Sequence, residues 1–136
     1  RKREIVLDLE LAADLPLIEG DLPSVEQMVV NILLNAVQAI KHEEGRVSIV
    51  TGLTPAPHQV FVSIADNGGG IDSSIGERIF DPFMTTRQAD GGTGLGLSIT
   101  RNLVEAHGGN IAFRSENDQG TVFTVSFPIG GPEISQ

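Results

Sequence analysis

The stretch Ser24–Ile40, SVEQMVVNILLNAVQAI, contains the best-defined element of the chain and decides how the fold is assigned. Apolar residues recur in it every three or four positions, which is the spacing of one buried face of an α-helix. These apolar residues are Val25, Met28, Val29, Ile32, Leu33, Ala36, Val37 and Ile40. Ser24 and Gln27 resemble a capping box, which predicts that the helix begins at Ser24.

Segments with strand patterns lie on both sides of this helix, and a second helix follows later. Strands are predicted at 4–11, 46–53, 59–65, 110–115 and 121–127, and a helix at 95–107. The second helix has an apolar stripe through Leu95, Ile99, Leu103 and Ala106, and Gly108-Gly109 can end it in a left-handed conformation. This mixed order predicts an α/β fold, a two-layer α/β sandwich with a mixed sheet and helices on one face.

The length and composition indicate one domain with an acidic surface. The 136 residues suit a domain at 1–130 and a loose tail at 131–136. The net charge is −9 with lysine only at Lys2 and Lys41, so no basic stripe is expected to bind nucleic acid. The absence of cysteine fits a cytoplasmic location, and no apolar run reaches the ~20 residues that cross a bilayer, so no membrane contact by this segment is expected. The chain begins without Met and directly in a strand pattern, which suggests that an upstream part is missing.

Opposite its apolar stripe, the first helix has a second stripe made of neutral amides. Gln27, Asn31, Asn35 and Gln38 lie three or four residues apart and therefore share one face. Because asparagine is a poor helix former, this stripe indicates a specific polar contact, although a solvated face that happens to be rich in amides is the alternative. An amide oxygen such as that of Asn35 is a ligand suited to Mg²⁺.

The segment Asp66–Ile71, DNGGGI, directly follows a predicted strand. It opens a glycine-rich region from Asp66 to Gly94 that has no sustained period, which predicts a functional loop or lid. A buried aspartate could accept a hydrogen bond from an exocyclic amine such as that of adenine, whereas the carbonyl of guanine offers no donor there. A simple turn is the alternative reading of Asp-Asn-Gly.

The segment Gly91–Leu97, GGTGLGL, opens the second predicted helix. Free backbone N–H groups and the positive end of the helix dipole converge there and would bind anionic phosphates. Thr85, Thr86 and Arg87 lie upstream, where two hydroxyls and a guanidinium could close over a terminal phosphate. An unpaired surface arginine remains the alternative for Arg87.

In order, these segments resemble the motif set of the GHKL ATP-binding fold, also called the Bergerat fold, as found in bacterial sensor histidine kinases. Five segments carry the resemblance, each to one motif of the family. The N box is matched by Gln27–Ala39, the G1 box by Asp66–Ile71, the F box by Phe80–Phe83, the G2 box by Gly92–Leu97 and the last glycine motif by Gly120-Thr121. The resemblance spans nearly the whole chain.

The resemblance implies a role for individual residues. Asn35 would coordinate Mg²⁺, Asp66 would hold the adenine amine, and the segment from Thr85 to Gly92 would form a lid anchored by Phe80 and Phe83. Asn31 and Arg87 would act at the phosphates, as the catalytic pair. The residues that the resemblance places around ATP are Asn31, Asn35, Asp66, Gly68, Gly70, Ile71, Phe80, Thr85, Thr86, Arg87, Gly92, Thr93, Gly94, Leu95, Gly96, Leu97 and Thr121.

The resemblance also implies a reaction, which is transfer of the γ-phosphoryl of ATP to a histidine on a dimerisation domain and then to a response regulator. ATP-hydrolysing members such as gyrase carry a glutamate where this chain has Asn31, and without that base hydrolysis is disfavoured. Many histidine kinases carry a basic residue in place of Gln38, which puts a phosphate contact there in doubt. The alternatives are a regulatory module that binds nucleotide without transferring phosphate, a GHKL ATPase and an anti-sigma serine kinase.

Overall fold

The computed structural model describes residues 4–13, 15, 16, 18, 20, 22–41, 44–55, 58–71, 74–81, 96–116 and 119–129. Its elements, in chain order, are β1 (Glu4–Glu10), α1 (Leu22–Ala39), β2 (Glu44–Leu53), β3 (Gln59–Asp66), a short 3₁₀ helix (Gly76–Phe80), α2 (Gly96–Ala106), β4 (Asn110–Glu116) and β5 (Gly120–Pro128). The predicted strands and helices are all present in this order.

The strands form one mixed sheet. Its five strands lie in the order β1-β2-β3-β5-β4. Strand β1 runs parallel to β2, and every other neighbouring pair is antiparallel. The parallel pair is possible because α1 provides the long crossover that joins β1 to β2.

Both α-helices pack on the same face of this sheet and form the second layer. The side chains of α1 that enter the core are Met28, Ile32 and Ala36. They meet core residues of the inner strands, among them Ile64 and Phe123. The predicted two-layer α/β sandwich with helices on one face is therefore confirmed.

The predicted start of α1 is wrong by two residues. The helix begins at Leu22, so Ser24 lies inside its first turn and does not cap it. Pro23 also lies in the first turn, where its missing N–H removes no hydrogen bond from the helix.

Helix α2 occupies Gly96–Ala106 within the predicted range 95–107, but its buried face is different from the predicted one. Ile99 is 43% exposed, whereas Thr100 and Val104 are completely buried. The buried threonine was not visible as part of an apolar stripe because its side chain is polar. Gly108 ends the helix as predicted, with φ of 74°, and the N–H groups of Gly108 and Gly109 donate to Glu105 O and Val104 O.

The loop that follows β3 is not entirely irregular. It contains the 3₁₀ helix Gly76–Phe80, where the sequence showed no period because the helix has only five residues. Its last residue, Phe80, is buried in the core. Among the described residues, no helix combines the length and the apolar composition that crossing a lipid bilayer requires.

Candidate nucleotide-binding site

On strands β3, β5 and β4, the helix-covered face of the sheet changes from apolar to polar in its last cross-strand row. Asp66 of β3 is the partner of Thr121 of β5, and Thr121 is in turn the partner of Ser115 of β4. The next row along the same face contains Ile64, Phe123 and Phe113, which are all apolar. Because directly opposed side chains lie about 5 Å apart, the three polar groups form one cluster at this end of the sheet.

The carboxylate of Asp66 is buried, with only 8% of the residue exposed. Its Oδ1 atom accepts a hydrogen bond of 2.8 Å from the backbone N–H of Gly68, which holds the chain in a tight turn after β3. The predicted turn and the predicted binding residue are therefore compatible, since one oxygen closes the turn while the group stays at the polar end of the sheet.

The turn lies directly against the end of α1. A Cβ atom on Gly68 would come within 2.5 Å of the backbone oxygen of Ala39, and the N–H of Gly69 donates to that same oxygen at 3.4 Å. Gly68 is thus required for the close approach of two backbones.

Two further glycines close the cluster from its other side. Gly70 has φ of 82° and a Cβ there would come within 2.2 Å of the backbone oxygen of Glu116. Gly120 has φ of 101° and a Cβ there would come within 2.0 Å of the backbone oxygen of Asp66. The loop after β3 and the turn between β4 and β5 are therefore in backbone contact beside the polar row.

Asn67, which sequence reasoning passed over as a turn residue, continues the sheet with its side chain. Its Oδ1 accepts from the N–H of Arg46 at 2.8 Å and its Nδ2 donates to the backbone oxygen of Glu44 at 3.0 Å. The side-chain amide pairs with β2 as a peptide group would, which fixes the loop at its first residue.

Asn31, on the predicted amide stripe, joins the two helices. Its Nδ2 donates to the backbone oxygen of Gly96 at 3.3 Å and to Thr100 Oγ1 at 3.1 Å, and its Oδ1 accepts from Gln27 Nε2 at 2.8 Å. The Thr100 hydroxyl donates to the same Gly96 oxygen at 2.7 Å. The amide stripe therefore makes the specific polar contact that its composition predicted, and that contact positions the start of α2.

The amide face of α1 connects the two ends of the candidate site. From Asn31, which contacts the start of α2, to Ala39, which contacts the loop after β3, the helix rises about 12 Å. Asn35 is half-buried one turn after Asn31 on this face, and Gln38 is half-buried near its end. A ligand that spans from Asp66 to Gly96 would therefore pass along Asn35.

Phe80 is in the core rather than at the surface of the pocket. Its ring makes edge contacts with Phe113 at 5.9 Å and with Phe123 at 6.4 Å between ring centroids. The guanidinium carbon of Arg101 lies 5.0 Å from the centroid of the Phe80 ring. The ring of Phe80 is therefore packed among core and helix side chains, and its role as an anchor for the segment that follows stays a prediction.

Several predicted site residues lie outside the described residues. They are Phe83, Thr85, Thr86, Arg87, Gly92, Thr93, Gly94 and Leu95. At the start of α2, Gly96 and Leu97 are described, and both are half-buried. The N–H groups of a first helical turn have no partner within their own helix and can bind an anion.

The described residues fit an adenine nucleotide. A buried carboxylate at Asp66 can accept from an amine, and the start of α2 offers N–H groups to phosphate. Among the described residues, no three His, Cys, Asp or Glu side chains converge on one point. A Mg²⁺ ion held here would therefore take its ligands mainly from phosphate, water and one amide oxygen, as Mg²⁺ commonly does.

An apolar groove of about 390 Å³ lies elsewhere, between β1 and α1. Its lining residues are Ile5, Leu7, Val30, Leu33, Leu34, Val37 and Val47. None of these side chains can form a hydrogen bond, so this groove offers no recognition of a charged ligand.

Comparison with known proteins shows the family to which the chain belongs. Residues 20–131 match the family model described as histidine kinase-, DNA gyrase B-, and HSP90-like ATPase. The signal transduction histidine-protein kinase AtoS of Escherichia coli is 42% identical over 120 residues, which cover 88% of this chain and 19% of AtoS. Sporulation kinase A of Bacillus subtilis is 40% identical over 82% of this chain and 18% of its own length. The chain thus spans about a fifth of the length of these curated relatives.

Solved structures of histidine kinases have the same fold as this chain. The mycobacterial sensor histidine kinase MprB superposes with a TM-score of 0.78 at 25% identity, covering 91% of this chain and 81% of that one. Full-length ShkA in complex with AMPPNP also gives 0.78, at 31% identity, covering 91% of this chain and 25% of ShkA.

Proposed function

Because the chain belongs to the family of histidine kinase-, DNA gyrase B- and HSP90-like ATPases and is homologous to sensor histidine kinases, we propose that it is the ATP-binding catalytic domain of such a kinase. The domain transfers the γ-phosphoryl of ATP to a histidine on a dimerisation domain, and the phosphoryl then passes to a response regulator. We place the domain at residues 1–130, with 131–136 as a tail, and its working location in the cytoplasm.

The contact that supports a kinase over a hydrolase is that of Asn31. In hydrolysing members this position carries a glutamate that activates water. Here a neutral amide donates to Gly96 O and Thr100 Oγ1, so the position serves to hold α2 and supplies no base. Attack by a neutral imidazole needs no such base, because its unprotonated nitrogen is already a nucleophile near neutral pH.

The roles proposed for the residues around the nucleotide rest on the family resemblance, and the cluster at the end of the sheet supports them. Asp66 and Thr121 hold the adenine, while Gly68, Gly70 and Ile71 line the base pocket. Asn35 binds Mg²⁺, which when bound would neutralise phosphate charge.

At the phosphate end, Gly96 and Leu97 at the start of α2 bind phosphate with Gly92, Thr93, Gly94 and Leu95. Thr85, Thr86 and Arg87 belong to a lid over the γ-phosphate, anchored at Phe80. In the transfer, the imidazole nitrogen bonds to the γ-phosphorus as the bond to the ADP oxygen breaks, and these residues position the two reactants.

The described histidines are not in a setting for phosphorylation. The ring Nδ1 of His107 is 2.8 Å from the backbone oxygen of Leu103 at the end of α2, as expected for a helix-end residue. His58 lies in the exposed turn before β3. The acceptor is therefore proposed to be supplied by another domain.

The test is a transfer reaction between separate proteins. This chain is mixed with the histidine-bearing dimerisation domain of its own parent kinase and with Mg²⁺ and ATP labelled at the γ-phosphate. The expected product is an acid-labile label on that domain, lost with Asn35→Asp and with Asp66→Asn. The label should be kept with Asp8→Asn, since Asp8 lies exposed on the edge strand β1, which β2 separates from Asp66 on β3.

Other outcomes would select the rival functions. Rapid release of inorganic phosphate without an acceptor would indicate an ATPase. Label on a serine of an anti-sigma-factor antagonist would indicate a serine kinase, and tight ATP binding with no transfer would indicate a regulatory module.

A further inference from the structure

Ser115 is a member of the polar row that no sequence motif singled out. It lies on β4 opposite Thr121, on the face of the sheet that contains Asp66. Its neighbours on that face of β4 are Phe113 and Ile111, so a polar residue in this register interrupts an apolar pattern.

The Ser115 hydroxyl contacts three separate groups. It accepts a hydrogen bond of 2.6 Å from the N–H of Ile71, the last residue of the segment Asp66–Ile71. It donates to the backbone oxygen of Gly120 at 3.2 Å, and it lies 2.9 Å from Thr121 Oγ1. The loop, strand β4 and the start of β5 are thereby joined at one oxygen atom.

The distance between the two hydroxyls allows either one to donate, but the other two contacts of Ser115 favour Thr121 as the donor. A serine hydroxyl has one proton and two lone pairs. When its proton is given to Gly120 and one lone pair to Ile71, the remaining lone pair must accept the proton of Thr121. Thr121, which is 3% exposed, then has only lone pairs left for a ligand.

A second acceptor beside a carboxylate has a consequence for base selection. Asp66 and Thr121 are partners across the strands, so both present acceptors at the same place. The amine of adenine can donate to them, whereas the carbonyl of guanine would meet two groups that cannot donate.

We propose that Ser115 is a positioning residue for purine selection: it fixes Thr121 as an acceptor beside Asp66 and so sets the preference for adenine over guanine. This inference rests on the proposed function, because it concerns the same nucleotide site. Gly70 leaves room for the Ser115 hydroxyl, since a Cβ at position 70 would lie only 3.2 Å from Ser115 Oγ.

The test compares two nucleotides on single variants of the chain. Titration calorimetry measures the Kd of Mg²⁺ with AMPPNP and with GMPPNP, its guanine counterpart. The Kd ratio is the Kd for GMPPNP divided by the Kd for AMPPNP. Ser115→Ala frees the Thr121 proton, so this ratio is expected to fall about tenfold, the effect of roughly one hydrogen bond. General loosening of the pocket would weaken both nucleotides equally and leave the ratio unchanged.

Ser63→Ala is the matched control. Ser63 of β3 and Thr124 of β5 form the same kind of hydroxyl pair, 2.9 Å apart, but on the opposite face of the sheet. The Kd ratio of Ser63→Ala is expected to equal that of the unchanged chain.

A double substitution tests whether Ser115 acts through Thr121. In a Thr121→Val background, Ser115→Ala should change the ratio less than twofold. If Ser115→Ala does not fold, Ser115→Cys fills a similar volume with a poor hydrogen-bonding group and is expected to lower the ratio as well.

Two results would contradict the inference. One is a Kd ratio that neither Ser115→Ala nor Ser115→Cys changes. The other is a tenfold fall in the ratio on Ser115→Ala even in the Thr121→Val background. That failure differs from failure of the proposed function, in which the unchanged chain itself would bind AMPPNP no better than GMPPNP.

Discussion

At the scale of single residues, Asp66 has two tasks that its two oxygens allow it to perform together. One oxygen accepts the N–H of Gly68 and closes the turn, and the carboxylate as a whole sits at the polar end of the sheet. An asparagine at this position could keep the first task, because its oxygen also accepts the Gly68 N–H.

Asp66→Asn is therefore expected to leave the fold intact and to weaken AMPPNP binding about 10- to 100-fold, the range for a lost hydrogen bond to a charged group. Calorimetry measures the affinity, and thermal unfolding checks the fold. Asp8→Asn is the control, since Asp8 forms an exposed ion pair with Arg46, which contributes little. Equal affinities for Asp66→Asn and the unchanged chain would contradict the role given to Asp66.

The neighbouring glycines of the same loop differ sharply in their surroundings. A Cβ on Gly68 would come within 2.5 Å of the Ala39 backbone oxygen, whereas a Cβ on Gly69 would meet nothing within 4 Å. The two positions are adjacent in the chain, so they form a natural pair for comparison.

Gly68→Ala is expected to lower the free energy of unfolding by about 2 kcal/mol or more, because two backbones must move apart. Gly69→Ala should change it by less than about 0.5 kcal/mol. Urea unfolding measures both. A neutral Gly68→Ala would show that the loop does not need its close contact with α1.

At the scale of elements, α1 performs two functions with two faces. Its apolar face covers the sheet, and its amide face carries the Asn31 contact that holds the start of α2. The completely buried Thr100 belongs to this contact, since its hydroxyl accepts from Asn31 and donates to Gly96.

The coupling between the two helices can be measured with a double-mutant cycle. Asn31→Ala and Thr100→Val should each lower the free energy of unfolding by about 1 kcal/mol, the typical value of one hydrogen bond. The double variant should lose clearly less than the sum, because both substitutions remove the same contact. Strict additivity would mean that the two side chains act separately.

At the scale of the whole molecule, the site is formed where three distant parts of the chain meet at one end of the sheet. The loop after β3 is joined there by backbone contacts to the turn before β5 and to the end of α1, and the Asn31 side chain joins α1 to the start of α2. A ligand at this place would therefore restrict several segments at once while the sheet centre stays as it is.

Hydrogen exchange tests this expectation. Adding Mg²⁺ and AMPPNP should slow amide exchange at residues 67–71 and 96–98, and across Thr85–Gly92 if that segment is a lid. Amides in the middle of β3 should show no change, because β3 is paired on both sides with or without ligand. Protection confined to β1 and to residues 30–37 of α1 would place the ligand in the apolar groove and contradict the proposed site.

What the sequence by itself determined was the set of elements and the segments that form the candidate site. Periodicity places the apolar face of α1, and the glycine at 108 marks the end of α2, because both signals are local and depend on residues within a few positions. Asp66 and Asn31 could be picked out from the sequence because their signals are also local.

Only the tertiary structure decided the strand order, the buried face of α2 and the role of Ser115. Thr100 and Ser115 are polar residues at core positions, and their hydroxyls are satisfied by partners that packing brings near. Ile71 lies 44 positions from Ser115 in the chain. Their hydrogen bond exists because strands β3 and β4 both pair with β5, and this pairing between distant segments has no local signal in the sequence.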